Sequence, residues 1–197
     1  NHFRLAIHFM AAMLLIGYTL IFALSLIIPA QEKVLNNKLR KFAFFILALV
    51  LVQLVYGCFM AGLKAANTAP TWPTINGAFV PDSLFKDGFT ESILHNPITI
   101  HFIHRTLAYL IFILVIIWWF QAQKELRSAA FNRAKKWPLI LVALQVMLGI
   151  ATVLSSTTIV AGNFGVFEWL AELHQLTGML LLLSMLSVIY ILKPTAQ

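Results

Sequence analysis

The chain has 197 residues, of which 60% are hydrophobic and only 11% charged, whereas a water-soluble domain carries roughly a quarter charged residues. This composition excludes an ordinary soluble enzyme and places the chain in lipid. The formal charge of +7 does not point to nucleic acid, because most of the basic residues gather in connections that mark one side of a membrane.

Five apolar stretches, at residues 3–28, 42–63, 98–120, 139–160 and 167–192, reach the roughly 20 residues that a helix needs to cross a hydrocarbon core of about 30 Å. The first carries His8 and is too long, and too well matched to later segments, to read as a cleaved signal peptide. Since the first residue is Asn1 and not Met, the chain reads as a fragment or a processed product. Lys33, Lys38, Arg40 and Lys41 follow this segment. The second segment contains Cys58, the single cysteine, so an intrachain disulfide, a CxxC pair and covalent haem attachment are all excluded.

The connection over residues 64–96 is too long for a simple turn. It holds Pro70, Trp72, Pro73, Asn76-Gly77, Pro81 and Asp87-Gly88, residues that predict an ordered excursion able to cover a site. Its charges are Lys64 and Lys86 beside Asp82, Asp87 and Glu91. The third segment bears His101, His104 and Arg105, and the basic stretch 121–136 that follows reads as a plain connector. The fourth segment ends in a short turn at 161–165 without charge, and the fifth bears His174 and is followed by Lys193. By the positive-inside rule the N-terminus faces out and the C-terminus faces the cytoplasm.

A repeat runs through these segments, as in many membrane proteins built from duplicated helix groups. The second reads Gln53-Leu-Val-Tyr-Gly57 and the fourth Gln145-Val-Met-Leu-Gly149, and each is followed by a segment with a histidine near its outer end, His104 and His174. The unit is a helix hairpin used twice. His8-Phe-Met-Ala-Ala-Met-Leu-Leu in the first segment matches His174-Gln-Leu-Thr-Gly-Met-Leu-Leu in the fifth, so the first segment reads as the tail of a further copy.

Ionisable side chains within a bilayer are costly and mark function. His8, His104 and His174 each sit about five to seven residues inside the outer end of their helix, roughly 8–11 Å deep, on helices that run in the same direction. Two imidazoles facing each other across a bundle supply both axial ligands of a haem iron, and His104 with His174 is the pair available within one four-helix unit. Ala108 and Gly178, four residues beyond them, leave space for a flat ring. Gly57 and Gly149 admit close approach of helices or of a ring edge, with packing the stronger reading. Arg105 is placed to pair with haem propionates, the alternative being a reach to the outer headgroups. His101 shares the face of His104 and is open to contact with a haem edge, proton relay or an interfacial place. Glu172 reads as interfacial, and His2 and His95, at helix ends, as solvated.

The string Asn96-Pro-Ile-Thr-Ile-His-Phe-Ile-His-Arg-Thr-Leu-Ala-Tyr109 resembles the histidine-helix motif of haem A synthases. So do Gly57-Cys-Phe-Met-Ala-Gly-Leu-Lys-Ala65, Trp72-Pro-Thr-Ile-Asn-Gly77 with Val80-Pro81, the helix from Gln145 to Leu154, and Leu173-His-Gln175. The resemblance covers nearly the whole chain. It implies an all-α, polytopic membrane protein of five transmembrane helices, four of them forming a haem-binding bundle. Residues 1–30 would be the last helix of a truncated N-terminal half, and 31–197 the C-terminal half that holds haem b, with its iron, between His104 and His174. His8 would then ligate the substrate haem. The family's catalytic glutamate, in an acid-x-x-His motif, has no counterpart in these residues. His101 stands where relatives usually show glutamine, which puts the fine tuning of the haem b site in doubt, and the paired loop cysteines of some relatives are lacking.

The implied activity is that of an oxidoreductase converting the C8 methyl of haem O to the formyl of haem A for terminal oxidases, in a bacterial inner membrane. Its expected partners are haem O and membrane lipid, with a haem O synthase, an electron donor and a second copy of the chain as further candidates, and no nucleic acid. The rival reading is a non-catalytic membrane b-type cytochrome between quinone and a partner. A transporter fits less well, because the histidines lie toward one face and no internal proline breaks a span.

Overall fold

The computed structural model describes residues 1–160 and 162–193. Position 161 of the predicted uncharged turn, and residues 194–197, lie outside the described residues. The chain is an all-α, polytopic membrane protein. In order, its helices are α1 (His2–Ile27), α2 (Asn37–Gly62), the short α3 (Ala65–Thr68) and α4 (Phe89–His95), α5 (Pro97–Ala122), the short α6 (Ala129–Ala134), α7 (Trp137–Ser155) and α8 (Val166–Ile191).

All five predicted spans fall on long helices, and the helices start earlier than the apolar segments where a cap is available. Asn36 accepts the Leu39 N–H at 2.9 Å and starts α2 upstream of its basic residues. Asn96 accepts the Ile98 and Thr99 N–H groups, with Pro97 just behind it. Such caps satisfy backbone donors that the first helical turn leaves free.

Helices α2, α5, α7 and α8 form a ring in which α2 packs on α5, α5 on α7, α7 on α8 and α8 on α2. Consequently α5 and α8 face each other across the bundle. Helix α1 lies outside this ring against α2 and α8 and leaves Ile7, Leu14, Leu15, Phe22 and Leu26 exposed, as a lipid-facing helix does. The tightest packing lies toward the basic end, where Trp118, Ile46, Val115, Phe131 and Met185 are buried. There the Trp118 indole N–H donates to the Leu39 carbonyl at 3.2 Å, which satisfies its one buried polar atom.

The 121–136 stretch is more than the plain connector its composition predicts. It folds into α6, capped by the Ser128 hydroxyl, which accepts the Phe131 N–H at 3.0 Å. The same hydroxyl lies 2.6 Å from the Glu32 carboxylate, which also accepts the Ala130 N–H at 3.0 Å. These two donors, the hydroxyl first, hold the Glu32 carboxyl below the ordinary carboxylate range. Residues Val34–Leu35 pair in parallel with Leu192–Lys193, and Lys33 donates to the Tyr190 carbonyl at 2.7 Å with its ammonium over the Tyr190 ring. The chain after α1 is thus tied to the chain after α8.

At the opposite end the 63–96 connection is ordered, as its turn residues predict. Ile75 and Ala78 exchange two backbone hydrogen bonds across Asn76 and Gly77, both of which take positive φ. A two-residue hairpin turn needs that conformation. His2 departs from its expected solvated place: it is buried, edge-on to Phe59, with its Nε2 2.9 Å from the Leu94 carbonyl. The reason is Gly62, whose missing side chain lets the α1 start lie against the α2 end. A Cβ there would come 2.8 Å from the His2 Cα.

Candidate functional site

His104 on α5 and His174 on α8 face each other inside the ring, with imidazole centres 6.4 Å apart and planes at 70°. Each is served by the helix that precedes it in the repeat. The Gln53 amide nitrogen lies 3.3 Å from His104 Nε2, and the Gln145 amide nitrogen 3.3 Å from His174 Nε2. Four residues on, a Cβ added to Gly57 would meet His104 Cε1 at 3.5 Å, and one added to Gly149 would meet His174 Cε1 at 3.0 Å. The Gln-x-x-x-Gly repeat is therefore a cradle: the amide holds one edge of the imidazole and the glycine leaves room for another. Gly149 makes room for its imidazole directly, beyond the helix packing expected of it, whereas Gly57 sits at ordinary contact distance from His104.

Both histidines keep one nitrogen without a partner, since His104 Nδ1 and His174 Nδ1 are buried and make no hydrogen bond among the described residues. No group of three or more histidines, cysteines or carboxylates gathers among the described residues, so a bare metal ion would find an incomplete shell here. A haem iron, whose equatorial plane the porphyrin already fills, asks the protein only for axial ligands. Nitrogen–metal bonds of about 2 Å on both sides of one ion place two ring centres roughly 6–6.5 Å apart, a range that includes the observed separation. Helices α5 and α8 are not packed side by side, so the two partly exposed imidazoles meet across the bundle. The residues present fit the group.

Arg105 turns to the adjacent face of α5. Its Nε–H donates to Nε2 of the fully buried His101 at 2.9 Å, one terminal nitrogen donates to the Thr74 carbonyl at 3.1 Å, and the other to the Thr71 carbonyl. Four residues further along the same face, the Tyr109 hydroxyl accepts the Trp72 indole N–H at 3.0 Å. The 71–76 segment is thereby fastened to α5 over the histidine end of the bundle. His101 has a place in this fastening and is not at the outer interface. Among the described residues His8 is exposed on α1 and makes no hydrogen bond, and Glu172 is exposed. The roles of Gln53 and Gln145 were visible in the sequence only as a spacing; the signal was the repeat, and what it lacked was the partner.

This fold and site define a polytopic helical membrane protein with paired histidines at one level of a four-helix ring. The profile of the cytochrome oxidase assembly protein family matches residues 1–186, and the chain belongs to that family. It is similar to heme A synthase of Bartonella henselae, with 31% identity over 163 residues, 82% of this chain and 45% of the relative. It is similar also to heme A synthase of Pelagibacter ubique, with 33% identity over 194 residues, 96% of this chain and 53% of the relative. Heme A synthase of Brucella suis is 34% identical over 163 residues, 82% of this chain and 45% of the relative. The chain spans about half the length of the curated relatives it matches. No solved structure matches it.

Proposed function

We propose that the chain is the haem-binding part of a haem A synthase, in which His104 and His174 hold a haem b as an electron-transfer cofactor. The observation that carries this reading is the pair of facing imidazoles 6.4 Å apart on the two opposed helices of the ring. On this proposal residues 1–30 form the last helix of one helical half and residues 31–197 the C-terminal half. The membrane is a bacterial inner membrane, with the 63–96 connection outside and the basic end in the cytoplasm. The substrate is haem O, oxidised at its C8 methyl to the formyl of haem A. His8, exposed on α1, ligates the substrate haem, and the catalytic carboxylate comes from outside these 197 residues.

When bound, the haem supplies one-electron redox chemistry. The protein's part is ligation, orientation and cover. His104 and His174 would hold the haem iron, with Gly57 and Gly149 beside the imidazoles and Gly178 beside the Gln145 amide. Arg105, which uses three of its five N–H groups on His101 and the loop, has donors left for a propionate. The fastened 71–76 segment keeps bulk water from the histidine end.

Replacing His174 with alanine in the full-length enzyme should abolish the low-spin haem spectrum of this half, and an unchanged spectrum would overturn the assignment. The rival, a non-catalytic b-type cytochrome, predicts bound haem b without haem A. Extracting the haems of cells that express the complete gene, and looking for the formyl derivative by mass, separates the two.

A further inference from the structure

We propose that Gln53 and Gln145 are positioning residues that set the tautomer of His104 and His174, each acting on its own histidine and keeping Nε2 free of a proton before haem arrives. The inference rests on the reading that these histidines hold haem, and goes beyond it by giving the repeat's glutamines a task.

The geometry at Gln53 fixes the direction of the hydrogen bond. Its amide nitrogen lies 3.1 Å from the His104 backbone carbonyl as well as 3.3 Å from His104 Nε2. A carbonyl oxygen only accepts, so the end of the amide that faces His104 must be the NH2 group. Its second hydrogen is then directed at Nε2, which must present a lone pair, and the ring proton sits on Nδ1. The orphaned state of Gln53 Oε1 agrees, since that oxygen points away from both contacts and finds no partner.

Gln145 on α7 makes the same 3.3 Å contact to His174 Nε2 and has an equally orphaned Oε1, without the second contact to a backbone carbonyl that Gln53 makes. Gly178 on α8 makes room for this amide, since an added Cβ would come 3.1 Å from the Gln145 nitrogen. Two separate helix pairs thus present the same donor to the same ring atom. Chance packing offers no reason for that coincidence.

A metal takes the lone pair of a neutral imidazole, and the hydrogen bonding of the ring decides which nitrogen offers it. The contacts to Nε2 are also long for N–H hydrogen bonds, whose usual separation is about 2.9–3.0 Å. A weak bond of this kind selects a tautomer and would give way to a metal at Nε2. The contact of Gln53 to the His104 carbonyl is independent of Nε2 and would remain to hold the amide.

The test uses the full-length protein with 15N-labelled histidine, prepared free of haem, and reads ring protonation by solid-state NMR. Wild type should show His104 and His174 with unprotonated Nε2. Gln53→Leu should convert a substantial fraction of His104 to the Nε2–H form while leaving His174 unchanged, and Gln145→Leu should do the reverse. That reciprocity separates local positioning from general loss of structure, which would disturb both signals together. Haem titration followed in the Soret band should show each variant binding about tenfold more weakly, with the low-spin spectrum retained at saturation. Finding Nε2 protonated in wild type, or finding both tautomers and haem affinity unaffected by the substitutions, overturns the inference. If wild type bound no haem while the tautomers still responded as stated, the functional reading would fail and the positioning role would stand.

Discussion

Gly149 lies directly against His174: a single methyl group added to the glycine would come within 3.0 Å of the imidazole Cε1. The equivalent distance from Gly57 to His104 is 3.5 Å, an ordinary van der Waals separation. The two halves of the repeat are alike in design and unequal in tolerance.

Gly149→Ala should therefore push His174 from its position at an overpacking cost of about 1–3 kcal/mol, lowering the haem retained by the full-length protein and altering its low-spin band. Gly57→Ala should leave both nearly unchanged. Haem per protein after purification, with an absorption spectrum of each variant, checks the contrast. Equal effects at the two positions would count against the cradle.

Arg105→Ala should release the 71–76 segment. It removes donors to the Thr71 and Thr74 carbonyls, and hydrogen bonds from a charged group contribute about 1.5–3 kcal/mol each. Arg105→Lys should recover little, since an ammonium cannot reproduce the guanidinium fork that reaches both carbonyls and His101 together. Hydrogen exchange over residues 68–78 is the measurement, with faster exchange expected in both variants.

Gly62→Ala should separate the start of α1 from the end of α2. The added Cβ would meet the His2 Cα at 2.8 Å, and backbone cannot turn aside as a flexible side chain does. Cys58, the only cysteine and a buried one, reports on this region, because its cluster includes Ala6, Phe59 and the partly buried Phe3. Labelling by a maleimide should be slow in the parent protein and several-fold faster in the variant, following the more frequent opening.

At the basic end, the Ser128 hydroxyl and then the Ala130 N–H hold the Glu32 carboxyl below the ordinary carboxylate range. A depressed carboxyl stabilises the fold at pH above its unfolded value, and that contribution is lost as pH falls through the folded value. Glu32→Gln should thus lower thermal stability slightly near pH 7 and flatten the loss seen between about pH 5 and pH 3. Thermal unfolding in detergent across that range, compared with the parent, checks the sign.

Several features of the site are legible in the sequence. The Gln-x-x-x-Gly spacing marked α2 and α7, and the histidine depths put His104 and His174 at one level. Neither reading said that Gln53 touches His104 or that Gly149 backs His174, since a spacing along one helix does not name the residue on the next. His101 and Arg105 stood out as ionisable residues in an apolar segment, but their link to Thr71 and Thr74 depended on a loop whose path local turn preferences do not set. The burial of His2 departs from the solvation expected of a helix end, because a glycine on another helix lets the α1 start pack there.

What the sequence determined alone was the set of crossings: five apolar segments, and the repeat that pairs a glutamine helix with a histidine helix. Lipid imposes these choices one segment at a time, because each helix must satisfy its own backbone and match the hydrocarbon thickness whatever stands beside it. The tertiary structure alone decided neighbours. It set α5 across from α8, placed α1 outside the ring, and joined Glu32 to Ser128. Between helices in lipid there is little hydrophobic drive to read from composition, so shape and a few polar contacts choose the partners.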